Sequence, residues 1–186
     1  MPTGCGWDVP EEVRGDLEFR WFRVGGNRVL VLICLSDSPV WYRGHFVKGR
    51  MVPCQGSGCR MCADGVGAQL RYVVACVEVS THRSGLLEVG HTVAIELRDL
   101  AVNRGGLSGL RFEVSKHSFS KNSRMELRPL PDEPSAWWRE VDVPNPQTAL
   151  YLGWQKAGFT CPDLEEPPAV SSSKVPFKRP GCLTKV

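Results

Sequence analysis

Residues 40–80, VWYRGHFVKGRMVPCQGSGCRMCADGVGAQLRYVVACVEVS, hold the strongest structural signal in this chain. Segments 40–47 and 69–80 are rich in the β-branched and aromatic residues that favour strands. Between them, the pattern Cys-x4-Cys-x2-Cys places three thiols within nine residues. Such a compact group predicts a metal site, because a disulfide framework spreads its cysteines to join distant loops. We therefore expect a β domain with a metal-binding loop between two strands.

The flanking sequence predicts further antiparallel strands. Residues 16–24 and 27–37 predict a hairpin, because Gly25-Gly26-Asn27 between them tolerates the positive φ of a tight turn. Five or more strands of this kind predict a mainly β fold, a small barrel or sandwich. Hydrophobic patterning places the later elements at 92–97, 110–117 and 123–130 (strands), at 98–103 (a helical turn) and at 118–122 (a chain reversal).

Composition divides the chain into four parts. Prolines become frequent after residue 128 and flank two short helical segments, 135–141 and 147–157. The last residues are rich in Pro, Ser and Lys, a composition that predicts disorder. The resulting parts are 1–15 (N-terminal extension), 16–130 (β domain, with the metal loop at 45–67), 131–164 (appended helical region) and 165–186 (disordered basic tail).

Length and composition exclude several classes of protein. The chain has 186 residues, of which 42% are hydrophobic and 23% charged, as in a globular domain. The most apolar run, 29–35, is far shorter than the roughly 20 residues that cross a bilayer. Eight cysteines occur with uneven spacing and without a secretory signal. These features predict a cytoplasmic protein with no membrane partner.

Charge is strongly segregated behind a net charge of +3. Residues 1–19 sum to −4, 20–128 to +8, 129–166 to −5 and 167–186 to +4. A basic body flanked by acidic segments favours a polyanionic partner such as nucleic acid. A solvated surface with uneven charge gives the same pattern, so charge alone does not decide between the two interpretations.

The metal site needs a fourth ligand, because a closed structural Zn²⁺ site takes four N or S donors. His45, nine residues before Cys54, is a candidate from the end of the preceding strand. The other candidates in sequence are Cys76, Asp64, His82, His91 and His117. Two alternatives to a metal remain, namely three unrelated free thiols, or a redox pair at 59–62, although redox Cys-x-x-Cys pairs usually open a helix in a βαβ unit.

No constellation for catalysis stands out. Four protein ligands would leave a zinc ion no open position for water or substrate. His45 is followed by Phe46 and Val47, so the glutamate of an H-x-E deaminase signature is missing. A serine triad, a phosphate-binding glycine loop and a carboxylate pair in credible spacing are also missing from the sequence, so we expect a protein that is not an enzyme.

Aromatic and arginine residues are neighbours in several predicted strands. Adjacent strand residues point to opposite faces, so Trp21 and Phe22 cannot both enter one core, and neither can Trp41 and Tyr42. At least one ring of each pair is therefore expected on an outer face, where rings beside cations can stack the bases of a single strand. The neighbours occur at 20–23 (RWFR), 41–43 (WYR), 71–72 (RY) and 111–112 (RF).

Segment 41–62, WYRGHFVKGRMVPCQGSGCRMC, has a histidine followed by three cysteines and ends in Cys-x-x-Cys. It resembles the zinc-binding region of the helix-destabilising single-stranded-DNA-binding proteins of T-even phages. It is also similar to small phage- and mobile-element-encoded proteins with an H…PC-x-G-x-x-C-x-x-C loop. The resemblance implies an OB-fold-like antiparallel five-stranded barrel with an inserted zinc loop and short C-terminal helices. It also implies that Zn²⁺ is held by His45, Cys54, Cys59 and Cys62.

The resemblance does not extend to every feature of the phage proteins. The ligand loop is shorter here, the N-terminus lacks an obvious basic segment, and the tail is basic rather than acidic. Cooperative filaments and tail-mediated recruitment of replication proteins are therefore not implied.

Together these features predict a non-catalytic single-stranded-DNA-binding protein. It would act in replication, recombination or transposition of a phage or mobile element, in a bacterial or phage-infected cell. The alternatives are a zinc-containing adaptor that docks a replication or transposition protein, and an RNA-binding protein using the same face. The residues predicted to contact nucleic acid are Trp41, Tyr42 and one of Trp21 or Phe22 (stacking), and Arg23, Arg43, Lys48, Arg50, Arg71, Lys116 and Lys121 (phosphates).

Overall fold

The computed structural model describes residues 19–25, 28–48, 50–116 and 124–159. Within them the chain is mainly β, with seven strands in one antiparallel sheet. The strands are β1 (Val29–Cys34), β2 (Val40–Val47), β3 (Arg50–Pro53), β4 (Gln69–Glu78), β5 (Arg83–Gly90), β6 (Arg111–Lys116) and β7 (Met125–Pro129). The helices are α1 (Arg60–Ala63), α2 (His91–Arg104) and α3 (Pro146–Lys156), with 3-10 turns at Gly56–Gly58 and Trp137–Glu140.

β4 is the central strand, and two arms of the sheet meet on it. One edge of β4 pairs with β5 along most of its length, from Arg71 opposite Gly90 to Glu78 opposite Arg83. The other edge pairs first with β2 and then with β1, which lie one after the other. β3 extends the β2 arm, whereas β6 and β7 extend the β1 arm. The described strands thus form a branched sheet, in which a closed barrel is not present and the strand count is seven rather than five.

The sheet has one hydrophobic cluster on each face. We call the first side the α2 face, where Leu32, Val74 and Phe112 pack with Val93 and Leu97 of α2. We call the second side the α3 face, where Val73, Val77 and Leu86 pack with Leu150 and Trp154 of α3. Alternation along each strand assigns neighbouring residues to opposite faces. The two faces therefore share the same strands but offer different environments.

The expected N-terminal hairpin is wrong for the described residues. β1 pairs with β4 and β6 rather than with residues 19–24. Those residues instead run along the outer edge of β5, where Trp21 forms a parallel bridge with Leu86 and Phe22 N–H donates to the Leu86 carbonyl at 2.8 Å. Gly85 permits this approach, because a Cβ there would lie 2.8 Å from the Arg20 carbonyl oxygen.

The strand expected at 92–97 and the helical turn at 98–103 are one helix, α2. Val93 and Leu97 are buried four residues apart, which is the spacing of one helical face. Gly105 ends the helix at φ 89°, a left-handed conformation that glycine adopts without steric cost. Alternating β-branched residues at the start of this segment are typical of a strand, which is why the sequence predicted one there.

Other elements agree with the sequence. The strand at 40–47 is confirmed residue for residue, and β4, β6, β7 and α3 lie within one to two residues of the predicted segments. β3 and β5 were not predicted, because β3 is only four residues long and β5 contains Gly85 and Gly90. The extension at 1–15, the reversal at 118–122 and the tail at 165–186 lie outside the described residues. No helix in the described part of the chain is long and apolar enough to cross a membrane.

Candidate metal centre and the adjoining surface

The cysteine loop begins at the end of the β2–β3 hairpin. Cys54 N–H donates to the Arg43 carbonyl at 2.8 Å, so the chain stays attached to β2 as it leaves the sheet. Gly56 (φ 70°) and Gly65 (φ 77°) adopt left-handed conformations on either side of α1. These turns bring the chain back to β4. The loop is therefore compact, and all three of its cysteines lie beside the end of β2.

The structure brings four predicted ligands together: His45, Cys54, Cys59 and Cys62. Their donor atoms all lie within 4.8 Å of one another. His45 Nε2 is 3.3 Å from Cys59 Sγ and 3.5 Å from Cys62 Sγ, and Cys54 Sγ is 3.6 Å from Cys62 Sγ. The group could hold a metal ion.

The spacing of these donors fits a tetrahedral ion. Bonds of about 2.0 Å to nitrogen and 2.3 Å to sulfur place tetrahedral neighbours roughly 3.5 Å (N to S) and 3.8 Å (S to S) apart. The observed separations of 3.3, 3.5 and 3.6 Å are close to these values. Three thiols and an imidazole therefore have the composition and the spacing of a closed four-ligand site.

Electrostatics in the loop favour a thiolate at one position. Backbone hydrogen bonds from Gln55 and then Cys62 lower the pKa of Cys59 to about 6. Its hydrogen bond with Cys54, followed by desolvation, raises the pKa of Cys62 to about 11. A thiolate forms readily at Cys59, whereas Cys62 resists becoming a second anion without a cation nearby. A bound divalent ion would relieve this repulsion, because metal ligation deprotonates thiols.

The histidine is buried and oriented toward the thiols. His45 is 0% exposed, and its Nε2 is the ring nitrogen that faces the cysteines. Its Nδ1 is buried and has no hydrogen-bond partner among the described residues. A metal ion bound at Nε2 would take the place of the hydrogen bonds that water provides to an exposed imidazole.

The competing ligands lie elsewhere or outside the described residues. Cys76 is buried in the α2-face cluster directly opposite Cys34, and burial raises its pKa well above the usual value. Asp64 is exposed and is not part of the four-residue group. His82 stacks on Trp137 with ring centroids 4.0 Å apart. His91 stacks on Tyr72, and His117 lies outside the described residues.

Two of the four rings predicted to stack bases are buried. Phe22 lies in the α2-face cluster and Tyr42 in the α3-face cluster, where it makes an edge contact with Trp154 at 5.1 Å. The Tyr42 hydroxyl donates to Glu88 at 2.9 Å. Burial, and then the charge of Glu88, raise the pKa of Tyr42. The prediction that these two rings stack bases is wrong, because the sheet carries a hydrophobic cluster on each face and buries one ring in each.

The other two rings are half-buried. Trp21 packs against the α3-face cluster beside β5. Trp41 shares the α2 face with His45, since the two are four residues apart on β2, and Arg43 lies between them on that face. Trp41 is thus the only one of the four predicted rings that lies in line with the metal loop among the described residues.

The predicted phosphate contacts also separate. Arg71 donates to Glu88 at 2.8 Å on the α3 face, so its charge is already neutralised there. Arg43 is exposed and pairs with no carboxylate among the residues described. The remaining cations are Arg23, Lys48 and Arg50 (exposed, Arg50 lying 6.0 Å from the Phe159 ring), Lys116 (half-buried at the end of β6) and Lys121 (outside the described residues).

Two residues that the sequence analysis did not assign to nucleic-acid contact complete an aromatic row. Tyr72 is the register partner of Trp41 across β2 and β4. Its ring stacks on His91, the first residue of α2, with centroids 6.1 Å apart and planes at 22°. Trp41, Tyr72 and His91 form what we call the aromatic row, which crosses the α2 face beside Arg43. The pairing of Arg71 with Tyr72 in sequence was the only available signal.

Comparison with known proteins adds no assignment. No protein-family model, no curated protein and no solved structure matches this chain. The family resemblance of segment 41–62 therefore stays a prediction, and the case for function depends on the geometry of this molecule.

Proposed function

We propose that the protein is a non-catalytic single-stranded-DNA-binding protein stabilised by a structural Zn²⁺ ion. One imidazole and three thiolates form a soft donor set that suits zinc better than magnesium, calcium or manganese, which prefer oxygen. With all four positions occupied by protein, the ion would fix the loop and the end of β2 rather than activate water. His45, Cys54, Cys59 and Cys62 would hold it.

The aromatic row carries the proposal for DNA. Trp41, Tyr72 and His91 are each partly or fully exposed, and they lie side by side in adjacent elements. Exposed rings in series offer faces on which successive bases stack, and each stacked base contributes about 1–3 kcal/mol. Arg43 lies two residues from Trp41 on the same face and would meet the phosphate backbone there.

This arrangement favours a single strand over a duplex. In a duplex the faces of the bases are already stacked on one another, so rings on a sheet surface cannot reach them without unstacking. Affinity from stacking and a few cations is expected to tolerate sequence and to weaken with salt.

The same proposal includes an OB-fold-like arrangement of the strands. A partly open barrel needs a strand that belongs to two arms of the sheet, and β4 pairs with both β1 and β2 along one edge. The aromatic row lies where the β2 arm joins β4. A replication, recombination or transposition role in a phage or mobile element would use such a surface to protect or present a strand.

The test is a titration of the purified, zinc-loaded protein with a single-stranded oligonucleotide and with its duplex, at two salt concentrations. Quenching of tryptophan fluorescence is the readout. Quenching by the single strand that weakens with salt, with little effect of the duplex, supports the proposal. Absence of binding by the single strand at low salt rejects it. Preference for an RNA strand of the same sequence over DNA would assign the surface to RNA, since the 2′-hydroxyl is the group by which a protein distinguishes RNA from DNA.

A further inference from the structure

A long apolar groove continues from the aromatic row along α2. It has a volume of about 810 Å³ and lies between α2, β4 and the β1–β2 connection. Leu70, Tyr72 and Val74 form its floor, as alternate residues of β4. Ile95 and Val102 line the side that α2 contributes. Val102 is 73% exposed, so this apolar side is open to solvent.

The groove and the aromatic row are continuous. Tyr72 belongs to both, since its ring stacks on His91 and it also lines the floor. Leu70, the next floor residue, is the register partner of Arg43 across β2 and β4. A DNA strand whose bases stack on the aromatic row and that runs toward Leu70 would therefore contact both the groove and Arg43, which has no carboxylate partner among the described residues.

The lining of the groove carries few charges. Among the described residues the charged or titratable side chains that line it, apart from Tyr72, are Asp37, His91 and Arg98. Asp37 Oδ1 already accepts hydrogen bonds from the backbone N–H groups of Leu107 and Ser108 at 2.6 and 2.7 Å. Arg98 pairs only with its exposed neighbour Asp99, a contact that contributes little in water.

The interior of the groove is apolar and its cationic groups stand at the rim. A nucleobase has apolar faces that can pack on aliphatic and aromatic side chains, whereas its phosphate must remain hydrated or meet a cation. Arg98 of α2 lines the groove, whereas Arg43 lies outside the lining and is the register partner of Leu70. An acidic peptide would place carboxylates against these apolar walls, whereas a single strand of DNA can turn its bases inward and keep its phosphates in solvent.

Resting on the DNA-binding function proposed above, we propose that the α2 groove receives the bases next to those stacked on the aromatic row. The groove thus extends the binding site from the row along the flank of α2. The groove would contribute to affinity by packing on the bases, so the protein would occupy a longer stretch of the DNA strand. The site would remain tolerant of sequence.

The test compares three dye-labelled thymidine oligonucleotides by fluorescence anisotropy. The first is just long enough for the row, the second is longer, and the third has the longer length with abasic sites in the added part. We expect the second to bind the wild type about tenfold more tightly than the first, and the third to lose that gain. Val102→Trp, which fills the groove from its exposed side, should bind all three alike, with the short oligonucleotide unaffected.

Val143→Trp is the matched control, because Val143 is exposed (52%) and does not line the groove. Val102→Glu is a second variant that opposes a strand by charge rather than volume, and it should lose the same gain. Retention of the tenfold gain by Val102→Trp, or by the abasic oligonucleotide, overturns the groove proposal while leaving the row as the binding site. Failure of the wild type to bind even the short oligonucleotide rejects the proposed function itself.

Discussion

The two faces of the β2–β4 ladder carry the same kinds of residue and use them differently. On the α3 face, Tyr42 is 4% exposed beneath Trp154, and Arg71 is paired with Glu88. On the α2 face, Trp41 is half-buried and Arg43 is exposed without a carboxylate among the described residues. Each face thus has an aromatic ring close to an arginine, Tyr42 of β2 beside Arg71 of β4 on one face and Trp41 beside Arg43, both of β2, on the other. Only the α2 face leaves them available to a ligand.

The difference arises from what covers each face. α3 packs an aromatic ring on Tyr42, and Glu88 from β5 bonds both Tyr42 and Arg71. The α2 face is flanked by α2 on one side and the metal loop on the other, and neither provides a carboxylate to Arg43. Aromatic and arginine residues in a strand therefore indicate a binding surface only when the neighbouring elements leave them uncovered.

The largest expected effect is on the metal. His45→Ala should reduce bound zinc from one ion per chain to none, because structural zinc sites contribute about 10–16 kcal/mol of binding free energy in small peptides. Metal content by atomic spectroscopy is the measurement. His82→Ala, which removes an exposed histidine stacked on Trp137, is the matched control and should keep the ion. Full zinc occupancy in His45→Ala would remove this histidine from the ligand set.

Removal of zinc from the wild-type protein by a chelator tests, without a mutation, whether the ion supports the α2 face more than the α3 face. Removal of zinc should lower the unfolding temperature and speed hydrogen exchange in residues 50–66. Residues 149–154 of α3, which pack on the other face, should lose less protection. Equal loss on both faces would mean that the ion supports the whole sheet rather than the α2 face.

A smaller effect is expected from the cover of the α3 face. Trp154→Ala removes a ring that is 6% exposed and contacts Tyr42, so it should lower the free energy of unfolding by about 3–5 kcal/mol. Urea unfolding measures this change. Trp154→Phe should lose less because it keeps an aromatic ring in the cluster. A loss below 1 kcal/mol in Trp154→Ala would show that α3 is not a structural cover.

Trp41→Ala and Tyr42→Phe separate the two adjacent rings. Trp41→Ala should weaken binding of a single strand by about tenfold or more, since one stacked base contributes about 1–3 kcal/mol. Tyr42→Phe removes a hydrogen bond to Glu88 and should cost about 1 kcal/mol of stability with no change in affinity. Anisotropy titrations and urea unfolding provide the two readouts. A reversed result would assign the binding surface to the α3 face.

The smallest effect compares the two arginines. Arg43→Gln should reduce the salt dependence of strand binding by about one unit of slope, because each phosphate contact releases counterions. Arg71→Gln should leave the slope unchanged, since Arg71 is held by Glu88 at 2.8 Å. Binding constants at several salt concentrations give both slopes. Equal slopes for Arg43→Gln and the wild type would exclude Arg43 from the phosphate path.

Sequence patterns predicted the local features that depend on few residues. The strand at 40–47 alternates between faces, and its bounds are those of β2. The cysteine spacing with intervening glycines indicated a metal loop. His45 was a candidate for the fourth ligand because it lies at the end of the preceding strand. In contrast, α2 was missed because Val93 and Ile95 alternate at its start, and β5 was missed because Gly85 interrupts its pattern.

The metal ligands depend mainly on local spacing in the sequence, whereas the binding surface depends on tertiary contacts. Cysteines a few residues apart are held close by the chain itself, so their spacing alone placed three of the four donors in one loop. The aromatic row needs β2, β4 and the first residue of α2 to meet, and Tyr72 becomes a neighbour of Trp41 only through their register. No local pattern contains that register.

The sequence by itself determined that this chain is rich in strands, has a Cys-x4-Cys-x2-Cys loop and carries a basic middle region. The tertiary structure decided which ring of each adjacent pair is buried and which arginine is paired. It also decided that His45, rather than His82 or His91, meets the thiols. The physical reason is that burial, charge pairing and ligand convergence depend on contacts between residues far apart in the chain. Local patterning fixes only which side of a strand a residue occupies.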